Sequence, residues 1–406
     1  MEPSDEQLRE FQHWKDDGLA ERGFARWDEL REKAPRLFKS EAVKPGDPNA
    51  KWWYLLTYDD VRDAYMNPDP YSSGQWQAVQ DMAHKLIPVG LDPPEHGKYR
   101  RLLNAPFAPK EIKKLEGEIR DYCISLIDAF IDRGECDFRN EFAVRFPTAI
   151  FVKMIGLPLE KLDHYVELVH GWHQISPDDD MDGTKVAAGE AAVIGVLAEL
   201  MQQRRAKPEN DLMSYLIKAE VDGAPMSDED LLATAMILLS AGLDTVVAQL
   251  GHMFAHLAQH PDLRRRVINE PESIPKIIEE MMRYYGIAVS ARTLTRDIEI
   301  GGCPMRAGDR ILMPIAAANR DPNMFIDADR FDPDRRGNNR HLSFGTGVHS
   351  CLGLHLARLE MRIALEEWHR RIPDYHVKAG TKAKLMLTDL LVTVGHLELA
   401  WDKFSA

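Results

Sequence analysis

The stretch His341–Glu360, HLSFGTGVHSCLGLHLARLE, places a single cysteine in a glycine-rich bend that runs directly into a helical pattern. Gly345 and Gly347 permit positive φ angles and let a bulky group approach the backbone. A helix beginning near Leu352 directs unpaired N–H groups and its positive dipole end at Cys351, which favours the thiolate. One anionic sulfur without a second cysteine nearby suits the axial position of a haem better than a tetrahedral zinc site. The alternative is a buried structural cysteine after a turn.

This bend resembles the haem-ligand motif of the cytochromes P450, F-x-x-G-x-[HR]-x-C-x-G. The fixed positions of the motif are filled by Phe344, Gly347, His349, Cys351 and Gly353. A five-point match is far more specific than a lone G-x-G. The resemblance implies a mainly α fold with small β-sheets, the cytochrome P450 fold, and haem b as the cofactor. It also implies that the Cys351 thiolate binds the iron and that the cofactor is contacted by Phe344, Gly345, His349 and Gly353.

Composition limits the class of protein. The chain has 406 residues, of which 44% are hydrophobic, and no linker divides it, so we expect one catalytic domain over residues 1–406. A net charge of -14 argues against nucleic-acid binding. Four widely spaced cysteines suit a reducing cytoplasm. The acidic start has no signal peptide, and no apolar run approaches the roughly 20 residues that span a bilayer, so we expect a cytoplasmic protein without a membrane segment.

A long helical pattern begins at Ser227 and runs without proline to His260. Its middle, Ala241 to Thr245 (AGLDT), puts a glycine, an acid and a hydroxyl into an apolar stretch, where glycine costs about 1 kcal/mol relative to alanine. This resembles the P450 motif [AG]-G-x-[DE]-T on the helix over the distal face of the haem. The resemblance implies that Asp244 and Thr245 are catalytic, and that Thr245 either bonds the carbonyl four residues earlier or holds a water.

Two further segments resemble the family's haem-propionate contacts. His96 and Arg100, which follow LDPPEH, lie four apart and share one helix face. On their own they read as a solvated polar face, but the resemblance implies two donors to the propionates, with Arg292 as a third. Ser290, two residues before Arg292, departs from some relatives, which have an acid there. The propionate contacts are therefore expected to differ at this position.

Glu280 and Arg283, in EEMMRYYG, resemble the family's E-x-x-R pair. Glutamate and arginine three apart on a helix are commonplace on surfaces, so the pair alone carries no information. Downstream, residues 316–325 and 329–335 resemble the meander to which the family ties this pair. The order of these matches implies a structural role for Glu280 and Arg283.

The overall resemblance is to the camphor-type, terpenoid-hydroxylating bacterial P450s, through LDPPEH, SAGLDTVV and LGLHLARLEM. It implies a monooxygenase that inserts one oxygen of O2 into a C–H bond of a small apolar substrate, and we expect a monoterpenoid or norisoprenoid. The predicted substrate pocket consists of Trp76, His84, Ile237, Ser240, Ala241, Ala288 and Val289. For His84 the alternative is that it is a solvated loop residue.

The chain has no nucleotide or flavin motif, so electrons must come from outside. The resemblance implies a [2Fe-2S] ferredoxin with its NADH-dependent reductase. An acidic ferredoxin would dock on a local basic patch, for which the alternative is scattered solvated lysines. The predicted patch consists of Lys98, Arg101, Lys110, Lys113, Lys114, Arg358 and Arg362. A rival function, a haem sensor or carrier without monooxygenase activity, would need Cys351 but not the acid–threonine pair.

Overall fold

The computed structural model describes residues 5–41, 52–74, 85–173, 184–388 and 390–403. Helices dominate this part of the chain, as the sequence predicts. The α-helices are Asp5–Arg9, Asp17–Arg22, Ala25–Lys33, Tyr58–Met66, Glu95–Asn104, Pro109–Lys114, Glu116–Asp128, Arg145–Ile155, Leu162–His173, Thr184–Ala206, Leu212–Ile217, Asp228–Gln259, Pro261–Asn269, Ile274–Tyr284, Ile315–Asn319 and Leu354–Arg371. A π-helix covers Phe138–Ala143, and 3-10 turns cover His13–Lys15, Ile131–Arg133, Leu159–Lys161, Pro271–Ser273, Asn338–Arg340 and Gly347–His349.

The strands are short. They are β1 Leu37–Ser40, β2 Trp52–Leu55, β3 Tyr71–Ser72, β4 Glu135–Asp137, β5 Glu220–Val221, β6 Ala224–Pro225, β7 Val289–Leu294, β8 Ile298–Ile300, β9 Cys303–Met305, β10 Arg310–Pro314, β11 His376–Val377, β12 Lys384–Leu387, β13 Val392–His396 and β14 Glu398–Ala400. The largest sheet has the order β1-β2-β10-β7-β3 and is antiparallel except for the β2–β10 pair. The expected mainly α fold with small sheets is confirmed.

The helix Asp228–Gln259, called the long helix below, has 32 residues and is therefore about 48 Å long at 1.5 Å per residue. Its N-cap is Ser227, whose side chain accepts a hydrogen bond from the N–H of Asp230. By length and composition, it is the one helix in the described ranges that could cross a membrane. However, 61% of its most apolar window is buried inside the protein, which is the pattern of a core helix.

An aromatic cluster joins the long helix to the helix Leu354–Arg371, called the cysteine helix below. Trp368 is fully buried and packs edge-on against Phe254 of the long helix, with ring centroids 5.1 Å apart. Phe138 and Phe142 complete the cluster at 5.2 and 5.3 Å from Trp368. Large buried rings of this kind contribute more than their area alone, so the two helices are held in a fixed relation.

Acid should weaken this core through His252. Burial lowers the pKa of His252 to about 4, although its Nε2 is 2.9 Å from the carbonyl oxygen of Val392, a contact that favours the charged form. In the unfolded chain an imidazole titrates near pH 6.5, so between about pH 6.5 and 4 the unfolded chain binds a proton that the folded chain excludes. The protein therefore has its full stability with respect to His252 above pH 6.5. Its free energy of unfolding should fall by about 3 kcal/mol between pH 6.5 and 4.

Urea unfolding of the haem-loaded protein at several pH values measures this loss. His252→Gln keeps a donor for the Val392 carbonyl but cannot bind the proton, so its free energy of unfolding should change less between pH 6.5 and 4. His376→Gln is the control, because His376 is exposed. Parallel curves for wild type and His252→Gln would contradict the assignment.

Candidate active site

The cysteine lies in a tight loop braced from two sides. The Cys351 N–H donates a hydrogen bond of 2.8 Å to the Phe344 carbonyl oxygen, which closes the bend. Gly345 and Gly347 have φ angles of 61° and 71°, in the region that favours glycine. A Cβ on Gly347 would lie 2.6 Å from the carbonyl oxygen of Tyr65, so a side chain there would force the loop away from the helix Tyr58–Met66. The predicted need for both glycines therefore has a physical cause.

The cysteine helix begins at Leu354, two residues later than predicted, with Gly353 as its N-cap. Burial raises the pKa of the Cys351 thiol, and the Gly353 N–H and the charges of Arg100 and Arg358 act in the opposite direction without overcoming it. The N–H groups at the start of the helix therefore favour the thiolate, as predicted, but burial outweighs them. A metal cation deprotonates a coordinating thiol outright, so a thiolate at this depth requires such a partner.

Four donor side chains converge beside the loop. The rings of His96 and His349 lie 4.2 Å apart, and both Nε2 atoms are buried without a hydrogen-bond partner among the described residues. Burial lowers the pKa of both imidazoles, that of His349 to about 3, and the neighbouring Arg100 and Arg292 add to the effect. Arg100 lies within electrostatic range of Cys351. Neither arginine pairs with a carboxylate in the described part of the chain, so the cluster has donors suited to an anionic ligand.

These features fit haem b. Two buried orphaned imidazoles and two arginines without a carboxylate suit the two propionates of the cofactor, since guanidinium groups bind carboxylates well. Gly353 has an ordinary φ of -83°, and a Cβ on it would meet nothing within 4 Å. No protein neighbour therefore requires a glycine at this position. A bulky cofactor in the space that a side chain would fill would explain it.

The long helix presents a partly exposed stripe in the middle of an otherwise buried stretch. Residues one and two turns apart share this stripe, while Leu239 and Leu243 between them are buried. The stripe consists of Ile237, Ser240, Ala241, Asp244 and Thr245. It therefore brings the two predicted catalytic residues together with three of the predicted pocket residues.

Two details shape this stripe. The Thr245 hydroxyl donates to the Ala241 carbonyl oxygen at 3.1 Å, which is the bond to the fourth preceding residue predicted as one option. A Cβ on Gly242 would lie 2.7 Å from the Phe151 ring, so close packing against the helix Arg145–Ile155 requires the glycine. Arg139, from the π-helix, lies within electrostatic range of Asp244.

Strand β7 separates residues that the sequence grouped together. Ala288, just before the strand, shares a partly exposed face with Ser290 and Arg292. Val289 points the other way, is 4% exposed and belongs to an apolar cluster that includes Trp27. The structure therefore does not place Val289 with the other predicted pocket residues. Trp76 and His84 lie outside the described residues.

The Glu280–Arg283 pair is completely buried and joined by two hydrogen bonds of 2.7 and 2.9 Å. Arg283 also donates to three backbone carbonyl oxygens, those of Asn319, Ala328 and Arg330. The pair thus ties the helix Ile274–Tyr284 to the segments downstream, as predicted from their order.

A second carboxylate, that of Glu279, is partly buried and is not predicted from the sequence. Burial raises its pKa, but Arg358 and His341 outweigh this and lower the pKa of Glu279 to about 2. Arg358 donates two hydrogen bonds to Glu279, of 2.6 and 2.9 Å, and its guanidinium carbon lies 4.5 Å from the centre of the Phe344 ring. The contact fixes the start of the cysteine helix beside the loop. No local spacing signals a pair that lies 79 residues apart.

Known proteins resemble this chain over most of its length. The family model described as Cytochrome P450 matches residues 52–371. A probable cytochrome P450 127A1 of Sinorhizobium fredii is 35% identical over 336 residues, 81% of this chain and 78% of the relative. The steroid C26-monooxygenase of Mycolicibacterium smegmatis is 34% identical over 330 residues, 78% and 80% of the two chains. The crystal structure of CYP108D1 from Novosphingobium aromaticivorans has a TM-score of 0.86 at 30% identity and covers 99% of this chain and 100% of that chain.

The chain therefore belongs to the cytochrome P450 family. The predicted P450 fold, the haem b cofactor and the enzyme class, a cytochrome P450 monooxygenase, are confirmed.

Proposed function

We propose that the protein is a haem-thiolate monooxygenase of the bacterial cytoplasm, built as one catalytic domain over residues 1–406. It inserts one oxygen of O2 into a C–H bond of a small apolar compound, a monoterpenoid or norisoprenoid. Cys351 is the iron ligand. The observation that carries the proposal is the donor cluster beside the cysteine loop, because none of its members forms an ion pair with a carboxylate among the described residues, and the Nε2 atoms of its two histidines have no hydrogen-bond partner there. The donors to the propionates are His96, Arg100, Arg292 and His349.

Bound haem supplies the electron-transfer and dioxygen chemistry of the family. The protein's part is to hold the cofactor and to deliver protons. The Thr245 hydroxyl keeps its hydrogen on the Ala241 carbonyl, which leaves the oxygen free to accept a hydrogen bond. Asp244, one residue earlier on the same stripe, moves protons from solvent towards that hydroxyl. The positive charge of Arg139 attracts the Asp244 carboxylate and helps to hold it in position.

Thr245→Ala should uncouple NADH consumption from product formation. Removing the hydroxyl leaves electron delivery intact but removes a proton-handling group, so product per NADH should fall at least about tenfold. Oxygen electrode and product measurements on the same reaction give this ratio directly. Thr245→Ser should restore most of the coupling, because it keeps the hydroxyl.

Thr234 provides a matched control on the same helix. Its hydroxyl makes the same type of bond, 2.7 Å to the Asp230 carbonyl, but the side chain is fully buried. Thr234→Ala should therefore lower stability and leave coupling unchanged. Equal coupling in Thr245→Ala and wild type would remove Thr245 from the proton route.

The substrate assignment is supported by the size of the side chains that share the open faces. Ser240, Ala241 and Ala288 are small, and Ile237 is apolar, so the space over the stripe suits a compact apolar molecule. Relatives of comparable identity have other substrates in their names, such as the steroid of the C26-monooxygenase. Substrate size is therefore the property to test.

Optical titration of the ferric protein, which follows displacement of water by substrate, separates these classes. A monoterpene ketone and a norisoprenoid ketone should bind at least about tenfold more tightly than a steroid or a branched fatty acid, a difference of roughly 1.4 kcal/mol. Ala241→Leu fills the proposed space and should abolish the terpenoid response. A steroid preference would overturn the terpenoid assignment while leaving the monooxygenase assignment intact.

We propose that electrons come from a [2Fe-2S] ferredoxin with its NADH-dependent reductase. The docking patch is smaller than the sequence suggests, because four of its cations are paired. Lys98 pairs with Glu95 and Asp222, Lys114 with Glu111, Arg358 with Glu279, and Arg362 with Glu116 and Glu366. Arg101, Lys110 and Lys113 are exposed and have no ion pair in the described part of the chain, so they carry the attraction for an acidic partner.

Lys113→Glu should raise the KM for ferredoxin about 5- to 10-fold at low salt, with a smaller difference at high salt, because the attraction is electrostatic. Steady-state NADH oxidation with varied ferredoxin measures this. Lys161→Glu is the control. Lys161 is exposed on the turn Leu159–Lys161 and is not one of the residues of the predicted patch. An equal response of the two variants would reject the patch.

A further inference from the structure

Tyr65 connects three parts of the site that are far apart in the chain. It is 6% exposed and lies near the end of the helix Tyr58–Met66. Its ring faces the cysteine loop, with Cε1 3.7 Å from the position of a Cβ on Gly345. Its phenol O–H donates a hydrogen bond of 2.8 Å to the hydroxyl oxygen of Ser290 on strand β7. The helix, the loop and the strand therefore meet at this one side chain.

Ser290 stands beside the arginine of the donor cluster. Ser290 and Arg292 are partly exposed on the same face of β7. The guanidinium carbon of Arg292 lies 5.3 Å from the centre of the Tyr65 ring, within range of a cation–π contact. One tyrosine thus supports both residues, its hydroxyl bonding Ser290 and its ring packing on Arg292.

The direction of the hydrogen bond decides what Ser290 offers. A serine hydroxyl has one donor hydrogen and two acceptor lone pairs. When Tyr65 donates to the Ser290 oxygen, the hydrogen of Ser290 is free to bond another acceptor. The partly exposed side of Ser290 is the side that it shares with Arg292.

We propose that Tyr65 and Ser290 form a hydroxyl relay that donates to one haem propionate alongside Arg292. This inference rests on the proposed function, in which the donor cluster holds the propionates. An acid at position 290 would bring a third carboxylate to two propionates and repel them when ionised. Serine supplies a donor without that charge, so Arg100 and Arg292 remain available to the cofactor. Tyr65 is a positioning residue, and Ser290 is the residue that touches the carboxylate.

The rate of haem release to excess apomyoglobin tests the relay without using catalytic activity. Ser290→Ala should release haem about tenfold faster, the effect of losing one hydrogen bond to a charged group. Tyr65→Phe keeps the ring under Arg292 and removes only the phenol oxygen, so release should quicken about threefold, as for a weaker, indirect hydrogen bond. The double variant should match Ser290→Ala, because a relay fails as a unit. Resonance Raman spectra should show a shifted propionate bending band in both single variants.

Thr293→Val is the matched control, because Thr293 is on the same strand but buried on the opposite face. It should leave haem release and the Raman band unchanged. A purely structural role for the Tyr65–Ser290 bond predicts instead that Ser290→Ala lowers the thermal stability of the apoprotein and leaves haem release and the Raman band as in wild type. That result would overturn the relay, while a normal thiolate spectrum of the wild type in the same experiment keeps the proposed function standing.

Discussion

Cys351→His is expected to remove the thiolate spectrum of the reduced, CO-treated protein and to lower monooxygenase turnover by at least about 1,000-fold, the scale of loss when a reacting group is removed. Cys351 is the one cysteine in the loop that Gly345 and Gly347 shape. Thiolate ligation pushes electron density onto the iron and favours O–O cleavage, which a neutral imidazole does not do to the same extent.

The raised pKa of the Cys351 thiol sharpens this expectation. Because burial raises the pKa of Cys351, the sulfur is not a free thiolate held by the protein alone. In the proposed function, the cation of the cofactor would hold it deprotonated. The variant should therefore still take up haem through the propionate donors, but its spectrum should report nitrogen ligation.

Cys303→Ser is the control for cysteine chemistry in general. Cys303 is a free, partly exposed cysteine on strand β9. Its replacement should leave both the spectrum and the turnover unchanged. A thiolate spectrum that persists in Cys351→His and vanishes in Cys303→Ser would show that our proposal names the wrong cysteine as the iron ligand.

The parts of the site that could be predicted from the sequence are those set by local spacing. The bend around Cys351 and the stripe of Asp244 and Thr245 each lie within a few residues of one another, so backbone geometry alone brings their members together. The N-cap at Ser227 and the end of the long helix near His260 follow from side-chain capping and from Pro261, which are also local effects.

The remaining contacts join distant segments, and no periodicity encodes them. Tyr65 and Ser290 are 225 residues apart, and their hydrogen bond depends on how the loop docks against the helix Tyr58–Met66. The prediction that Val289 lines the pocket beside Ala288 also differs from the structure, since alternation along β7 separates Val289 from Ala288 and Arg292. The basic patch shrank partly for the same reason, because Glu279 pairs with Arg358 and Glu116 with Arg362 from other helices. Lys114, in contrast, pairs with Glu111 one turn earlier on its own helix, which is a local spacing.

Arg283→Ala is expected to prevent accumulation of folded, haem-loaded protein. Arg283 and Glu280 have no exposed side-chain surface. Removing one partner of a buried pair costs about 3–5 kcal/mol, because the other charge is left in a low-dielectric interior. Two carbonyl oxygens, those of Asn319 and Ala328, also lose the Arg283 donor, at about 1–3 kcal/mol each when they stay unsatisfied, whereas the Arg330 carbonyl keeps Arg335 as a donor. The sum is comparable with the total stability of a typical domain, about 5–15 kcal/mol.

The effect should reach the cysteine loop through Asn319. The Asn319 carbonyl accepts from Arg283, while its side chain accepts from the Leu342 N–H at 2.7 Å and donates to the Ser343 hydroxyl at 2.8 Å. Leu342 and Ser343 open the stretch that leads into Phe344 and the bend. Loss of the arginine should therefore loosen the loop that presents Cys351.

A milder change and a matched control keep this prediction measurable. Arg283→Lys retains the charge but replaces the planar five-donor fork with a point charge, so the protein should fold with a free energy of unfolding lowered by about 2–3 kcal/mol, one or two hydrogen bonds to charged groups. Arg265→Ala removes an arginine that pairs with Asp262 at the same three-residue spacing, but on the surface. It should change the free energy of unfolding by less than about 1 kcal/mol. Urea unfolding and haem content measure all three variants. If Arg283→Ala and Arg265→Ala unfold at the same urea concentration, then burial does not make the Glu280–Arg283 pair essential, and the support of the cysteine loop must come from contacts such as that of Arg358 with Glu279.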